Sequence, residues 1–272
     1  MVGQAEVTLI IPNFRTPEIT RLCLRLLYRH TDRSRIHVLA VDNDSGEGEA
    51  SLQYLRSLKW IELIERKAVP GESPGASHAA ALDMALEKTT TPYVMSIHTD
   101  TFVLRDDWLD FLLEQISHDE NIAGVGSWKL EVKPWYKLWL KKLEYVLQRL
   151  IYPIIGKELI TEGKGKHFYY LRSHLALYRT DLLKKYKLSF GAGEETAGKM
   201  LHKALLDHGH EMKFIPSAQL IRYAVHLNHA TMILNPELGS REKTVRKGAR
   251  KIRAMLRRMQ ADEILQDDSL DG

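Results

Sequence analysis

The sequence predicts an α/β fold with a mostly parallel central sheet flanked by helices. Three observations carry that expectation. Short apolar, β-branched runs recur along the first half of the chain. Several are followed by a segment whose apolar residues fall at helical spacing. The runs are apolar almost throughout rather than alternating, which is the pattern of strands covered on both faces.

In order along the chain, Val7 to Ile11 is the first such run, ended by Pro12. Pro17 to His30 carries Ile19, Leu22, Cys23, Leu26 and Leu27 on one face, with Pro17 suited to a first helical turn and Thr16 as its cap. Arg35 to Val41 reads as a second strand, stopped by Asp42-Asn43-Asp44-Ser45-Gly46, and Trp60 to Glu65 as a third. Ser77 to Lys88 reads as an alanine-rich helix, Tyr93 to Ile97 as a fourth strand, Asp107 to Ser117 as a helix and Ile122 to Leu130 as a fifth strand. After Glu131 the alternation breaks. Beyond it, Leu175 to Tyr178 and Met212 to Ile215 read as strands, Thr180 to Tyr186 and Glu194 to Gly209 as helices, and Ser189 to Gly193 as a loop.

The chain has 272 residues, 44% apolar and 27% charged, enough to bury a sizeable core. A single cysteine, Cys23, excludes an internal disulfide framework and fits a reducing cytoplasm. Met1 to Glu6 lacks the pattern of a signal peptide, and no run of 18 apolar residues reads as a spanning helix. The net charge of +4 is unevenly spread. Arg241 to Gln260 holds nine basic residues and one acidic, and Ala261 to Gly272 reverses sign. Blocks of this kind read as solvated tails or helix faces.

In a parallel sheet, ligands sit at the carboxyl ends of the strands. Three polar clusters stand there: Pro12-Asn13-Phe14-Arg15, Asp42-Asn43-Asp44-Ser45 and His98-Thr99-Asp100-Thr101. Their order, with Gly75-Ala76-Ser77-His78 opening the helix between the second and third, resembles the family 2 glycosyltransferases, whose second strand typically ends in Val-Asp-Asp/Asn-x-Ser and whose fourth ends in an Asp-x-Asp triad. The match is good from Val7 to Leu130 and looser beyond. The resemblance implies a GT-A fold and inverting transfer of a sugar from a nucleoside diphosphate donor to a hydroxyl acceptor, a saccharide or a lipid-linked saccharide. It implies a donor pocket lined by Pro12, Asn13, Phe14, Asp42, Asp44, His78, His98 and Thr99. Asp42 would accept hydrogen bonds from the base and Phe14 would stack.

A diphosphate leaving group gathers negative charge, and a divalent metal, Mn²⁺ or Mg²⁺, with hard oxygen ligands suits that chemistry. Asp100 is the expected metal carboxylate. His98 stands where the family has its first aspartate, and an imidazole there can hydrogen-bond or ligate a transition ion such as Mn²⁺. A late histidine, His226 or His229, would complete the metal shell, with His226 preferred. The catalytic base of the family is a carboxylate at the start of a late helix. Glu195 is the expected base and Glu194 the second candidate, both at the start of the Glu194 to Gly209 segment, where acidic residues also suit a helix dipole.

Residues 1–240 read as one such domain, with a nucleotide-sugar half to about 131 and an acceptor half from 132, followed by a charged helical extension at 241–272. Pro134 to Ile155 mixes Trp and Tyr with Lys and Arg, the composition of an interfacial helix. That stretch and 241–258 are candidate contacts with the inner face of a membrane; packing within the chain or a homodimer contact would use the same residues. Gly163-Lys164-Gly165-Lys166 offers phosphate-binding lysines but lacks the Ser/Thr of a P-loop. No Gly-x-Gly-x-x-Gly follows the first strand, which excludes a dinucleotide oxidoreductase, and no nucleic-acid motif accompanies the basic block, so no nucleic-acid partner is expected. A GT-A-like protein that binds without catalysing is the alternative reading, resting on the departures at His98 and Glu195.

Overall fold

The structure is a computed structural model, and it describes residues 5–130, 139, 168–194, 196–228, 230–235 and 242–272. Strand β1 (Val7–Asn13) is buried along nearly its whole length. It pairs in parallel with β2 (Ile36–Asn43) on one side and β4 (Tyr93–Ile97) on the other, and β2 pairs in parallel with β3 (Glu62–Arg66). The strand's two faces serve two cores. Val7, Leu9 and Ile11 pack with Leu22 and Leu26 of α1 (Pro17–His30) and with Trp108 of α4 (Trp108–Ser117). Ile10 points the other way, into the core that holds Ala81, Leu82 and Ala85 of α3 (Pro74–Lys88). That two-sided burial is why the strands read as unbroken apolar runs. A shorter helix, α2 (Ala50–Ser57), follows β2.

The second half inverts one strand. β7 (Leu175–Arg179) lies between β4 and β6 (Ile122–Gly126) and is antiparallel to both, while β8 (Glu211–Phe214) pairs in parallel with β6 at the edge. The sheet order is β3-β2-β1-β4-β7-β6-β8. A separate antiparallel pair joins β5 (Thr101–Val103) to β9 (Ala224–His226). The remaining helices are α5 (Thr180–Lys185), α6 (Lys199–Asp207), α7 (Ser217–Leu220), α8 (Ala230–Leu234), α9 (Glu242–Arg258) and α10 (Ala261–Leu265). No helix among the described residues is long and apolar enough to cross a membrane.

Several local expectations are corrected. The helix expected from Glu194 to Gly209 begins five residues later, at Lys199. Residues Ala192–Glu194 form a short 3₁₀ turn instead, and Gly193 and Gly198 both take positive φ, at 73° and 78°, which a continuous right-handed helix does not admit. The strand expected from Ile122 to Leu130 stops at Gly126. Thr16 occupies the cap position of α1 without a capping hydrogen bond; its hydroxyl pairs with Thr20 Oγ1 at 3.2 Å instead. The segments α2, β5, β9 and α8 were not anticipated. The aromatic stretch 134–155 lies outside the described residues apart from Trp139, which is exposed.

The C-terminal charge blocks are not simply solvated. Arg25, in the middle of α1, is fully buried. A buried guanidinium must be paired, or it destabilises the fold by several kcal/mol, about 3–5. The partners come from the acidic end of the chain. Arg25 donates to Asp271 at 2.8 and 2.5 Å, to Asp268 at 2.6 Å and to the carbonyls of Ile264 and Leu265. Tyr54 of α2 donates to the same Asp271 at 2.7 Å.

Candidate functional site

The carboxyl ends of β1, β2 and β4 lie side by side, because Asn13 is in register with Asp42 and Ile10 with Ser96. At the β1–β2 end the side chains form a closed network. Asn13 donates to Asp42 Oδ1 at 2.8 Å and to Ser51 Oγ at 2.9 Å, and accepts from Thr20 Oγ1 at 2.7 Å. Asp42 also accepts from the Ser45 hydroxyl at 2.6 Å and from the Ser45 backbone N–H at 3.1 Å. Asn13 and Asp42 are almost fully buried. Beside them, Arg15 reaches the Ser45 carbonyl at 2.9 Å with its guanidinium over the half-buried Phe14 ring.

The β4 end is arranged differently. Asp100 follows β4, is 5% exposed, and leads into β5. The β5–β9 register sets Thr101 opposite His226, which brings His226 beside Asp100. His226 Nε2 lies 3.0 Å from Asp100 Oδ1, and His98 Nδ1 lies 3.8 Å from the same oxygen. The other oxygen, Oδ2, accepts the Ala230 N–H at 3.1 Å. His98 Nε2 contacts Ser173 Oγ at 3.0 Å, and His78 Nε2 reaches the same hydroxyl at 3.3 Å. His78 meets His98 edge to face at 4.7 Å, and His174 stacks flat on His226 at 4.6 Å. His174 Nε2 contacts Ser127 Oγ at 3.2 Å.

The electrostatics follow from burial. Desolvation holds the His98 imidazole well below its usual pKa, with the neighbouring His78 adding to the effect. It likewise lowers His78 to about 4 and His174 to about 3. These rings are neutral at physiological pH, the form that ligates metals. For Asp100, burial pushes the pKa up, but His226, the Ala230 N–H and His98 outweigh it, and the group stays ionised well below the usual carboxylate range.

His98, Asp100 and His226 each offer a ligand atom within 4.8 Å of the others. Asp100 Oδ1 and His226 Nδ1 are buried without a hydrogen-bond partner, even though Oδ1 sits 3.0 Å from an imidazole nitrogen. A buried carboxylate oxygen left in this state costs about 1–3 kcal/mol or more. Ligand atoms bound at about 2.1 Å to one octahedral ion stand about 3 Å apart when adjacent and about 4.2 Å apart when opposite, and Asp100 Oδ1 lies 3.0 Å from His226 Nε2 and 3.8 Å from His98 Nδ1. Ser173 holds the far nitrogen of His98, the usual outer-shell support of a metal-bound imidazole. The residues therefore fit a divalent cation.

The other expected residues are placed as follows. Pro12 is half-buried at the end of β1, and Thr99 is buried between His98 and Asp100. Asp44 takes positive φ in the turn after β2 and faces Lys67 at 3.4 Å and the Ala68 N–H at 3.3 Å. Glu194 ends the 3₁₀ turn. The loop ahead of that turn is tied to α3, where Asp83 accepts the N–H groups of Phe190 and Gly191 at 2.5 and 3.0 Å. Glu195, His229 and the Gly163 to Lys166 stretch lie outside the described residues.

Ser173 and His174 were missed. They stand immediately before a strand, whereas the ligand-binding residues of a parallel sheet stand immediately after one. Because β7 runs antiparallel, its beginning lies where the parallel strands end: the His98 N–H donates to the His174 carbonyl at 3.3 Å. The available signal was Arg172-Ser173-His174, a polar cluster ahead of an apolar run.

The model of the family described as glycosyl transferase family 2 matches residues 8–187. No curated protein matches the chain. Among solved structures, the chain is similar to the mannosyltransferase PcManGT from Pyrobaculum calidifontis in complex with GDP-Man and Mn²⁺, with TM-score 0.54 and 19% identity over 79% of this chain and 55% of that one. It is also similar to residues 1–349 of TarS from S. aureus, with TM-score 0.52 and 14% identity over 86% of this chain and 63% of that one. Against a longer TarS chain the TM-score is 0.53 at 15% identity, covering 90% of this chain and 42% of that one. The chain thus spans less than two thirds of each of these structures, and the likeness is one of fold.

Proposed function

Because this chain belongs to glycosyl transferase family 2, we propose that it is a glycosyltransferase moving a sugar from a nucleoside diphosphate sugar to a hydroxyl of a saccharide or lipid-linked saccharide, with inversion and with a divalent metal held by His98, Asp100 and His226. The observation that carries the metal-assisted reading is the orphaned Asp100 Oδ1, buried between two imidazoles. A cation there would offset the charge that gathers on the diphosphate as it departs. Two nitrogen donors and one carboxylate favour a first-row transition ion such as Mn²⁺ over Mg²⁺, and one structure of the same fold holds GDP-Man with Mn²⁺.

The residues of the chain divide the remaining work. Pro12, Phe14, Asp42 and Asp44 lie at the ends of β1 and β2, where the base and ribose of the donor would bind, and Asn13 holds Asp42 in place. His78 and Thr99 would contact the donor beside Asp100. Transfer forms a bond from the acceptor oxygen to the anomeric carbon as the bond to the diphosphate oxygen breaks. The acceptor proton passes to a carboxylate, for which Glu195 is the first candidate and Glu194 the second. The loop before these glutamates is anchored by Asp83 on α3.

The test is thermal unfolding with UDP, GDP, dTDP and CDP, each with and without Mn²⁺ or Mg²⁺. A nucleotide at 100 times its dissociation constant should stabilise the fold by about 2.7 kcal/mol, a rise of several degrees. One nucleotide should act strongly only with metal, more with Mn²⁺ than Mg²⁺, and Asp100→Ala should remove that increment. Stabilisation by no nucleotide, with or without metal, would defeat the donor-site reading.

A further inference from the structure

We propose that the outer face of α9, with the exposed apolar residues of α8 beside it, docks on an anionic lipid surface. The helix has two sharply different sides. Ile252 is buried in the main core, and Val245, Ala249, Leu256 and Met259 pack against that core. Gly248 lies so close to Ile233 of α8 that a Cβ there would overlap it, so the two helices touch at this point. On the opposite side, Arg246, Arg250, Arg253 and Arg257 follow one another at spacings of four, three and four, a single stripe of a helix, and Lys251 and Arg258 widen it. All six are exposed, and none forms an ion pair with a carboxylate among the described residues.

An uncompensated cationic stripe of this kind calls for a polyanion. Two features favour a bilayer over a nucleic acid. Residues 242–258 contain no aromatic side chain on which a base would stack. And Met232 and Leu234, flanking Ile233 in α8, are 41% and 44% exposed, offering apolar groups on the helix that packs against α9. Basic residues that draw a protein to anionic headgroups, supplemented by apolar groups that enter the interface, are the signature of surface attachment.

The placement has a consequence for the site. α8 starts at Ala230, whose N–H binds Asp100, so one short helix joins α9 to the carboxylate. Docking would hold the cleft next to the bilayer, where a lipid-linked acceptor resides. That consequence rests on the transferase reading; the docking itself does not.

The experiment is flotation of the full chain with phosphatidylcholine vesicles, with and without phosphatidylglycerol, at low and high salt. Binding to the anionic vesicles should exceed binding to the neutral ones by about tenfold or more and fall as salt is raised. The variant Arg250→Glu/Arg253→Glu/Arg257→Glu should drop to the neutral-vesicle level while keeping the melting midpoint and nucleotide response of the unaltered chain. If that variant does not fold, Arg250→Gln/Arg257→Gln takes its place, with a smaller loss expected. Met232→Ser/Leu234→Ser should retain salt-sensitive binding and lose the fraction that resists salt. Equal binding to both vesicle types, binding untouched by the charge changes, or displacement of the chain from anionic vesicles by single-stranded RNA at equal phosphate would each overturn the proposal. Loss of vesicle binding with an intact nucleotide response separates this surface from the donor site.

Discussion

Asp42, the penultimate residue of β2, and Asp100, just after β4, stand at the same end of the same sheet and are buried to nearly the same degree, at 2% and 5% exposure. Their surroundings differ. Asp42 is satisfied on both oxygens, by Asn13 and twice by Ser45, and the network closes through Ser51 and Thr20. Asp100 is satisfied on one oxygen, and the other faces two imidazole nitrogens without a hydrogen bond. The first arrangement fixes a turn. The second keeps charge and lone pairs available, at a cost in stability that a bound cation would offset. Placement at a strand end therefore does not tell the two environments apart; the saturation of their hydrogen bonds does.

The sharpest way to break this contrast is to damage the closed network alone. Asn13→Ala removes four buried hydrogen bonds and leaves their partners under-satisfied. The expected loss is about 2–3 kcal/mol, lowering the melting midpoint by about 5–10 °C. The metal-dependent increment in that midpoint should survive, because no ligand of the cluster is touched. Thermal unfolding with and without Mn²⁺ decides it. Loss of the metal increment in Asn13→Ala would mean that the two regions are one coupled unit.

The two regions were also unequally legible. The first half could be read because strands covered on both faces show as apolar runs, and because the polar residues that matter directly follow the apolar part of each run, closing the strand at Asn13 and Asp42 and standing just past it at Asp100. The second half hides its logic in direction and pairing. Ser173 and His174 precede an antiparallel strand. His226 reaches the cluster through a three-residue strand too short to leave a periodic signal. The helix expected at Glu194 is delayed by Gly198, whose φ of 78° is invisible in composition. The pairing of Arg25 with Asp271 spans 246 positions, so nothing local distinguishes that aspartate from a solvated one.

A second way to sharpen the contrast uses pH, since His174 and His202, the least exposed histidines among the described residues, both belong to the second half. His174 is lowered to about 3 and His202 to about 4, both mainly by desolvation. His202 also accepts the Leu171 N–H at Nδ1, which suits the neutral ring. An unfolded histidine titrates near 6.5, so below that pH the unfolded chain takes up protons that the fold refuses. Stability is thus complete above about pH 6.5 and lost as pH falls, by about 1.4 kcal/mol per unit for each such histidine, until the folded value is reached. Denaturant unfolding from pH 7.5 to 4.5 with chelator present measures the slope (those limits being about one unit above and two below the unfolded value). His202→Gln should flatten it by one histidine's share. An unchanged slope would mean that His202 is charged in the fold.

The smallest effect tests a residue between the two kinds. Asp44 adjoins the closed network, yet its own partners are weak: an exposed lysine at 3.4 Å and one backbone N–H at 3.3 Å. Exposed pairs of that length contribute about 0–1 kcal/mol. Asn tolerates the positive φ of 63° found at this position, so Asp44→Asn removes the charge without straining the turn. Stability should change by less than about 0.5 kcal/mol. If the carboxylate contacts the donor, as proposed, nucleotide affinity in the presence of metal should still fall about tenfold, the loss of one charge-assisted hydrogen bond. Titration calorimetry separates the two quantities. Unchanged affinity would assign Asp44 to the turn, as a partner of Lys67 and Ala68.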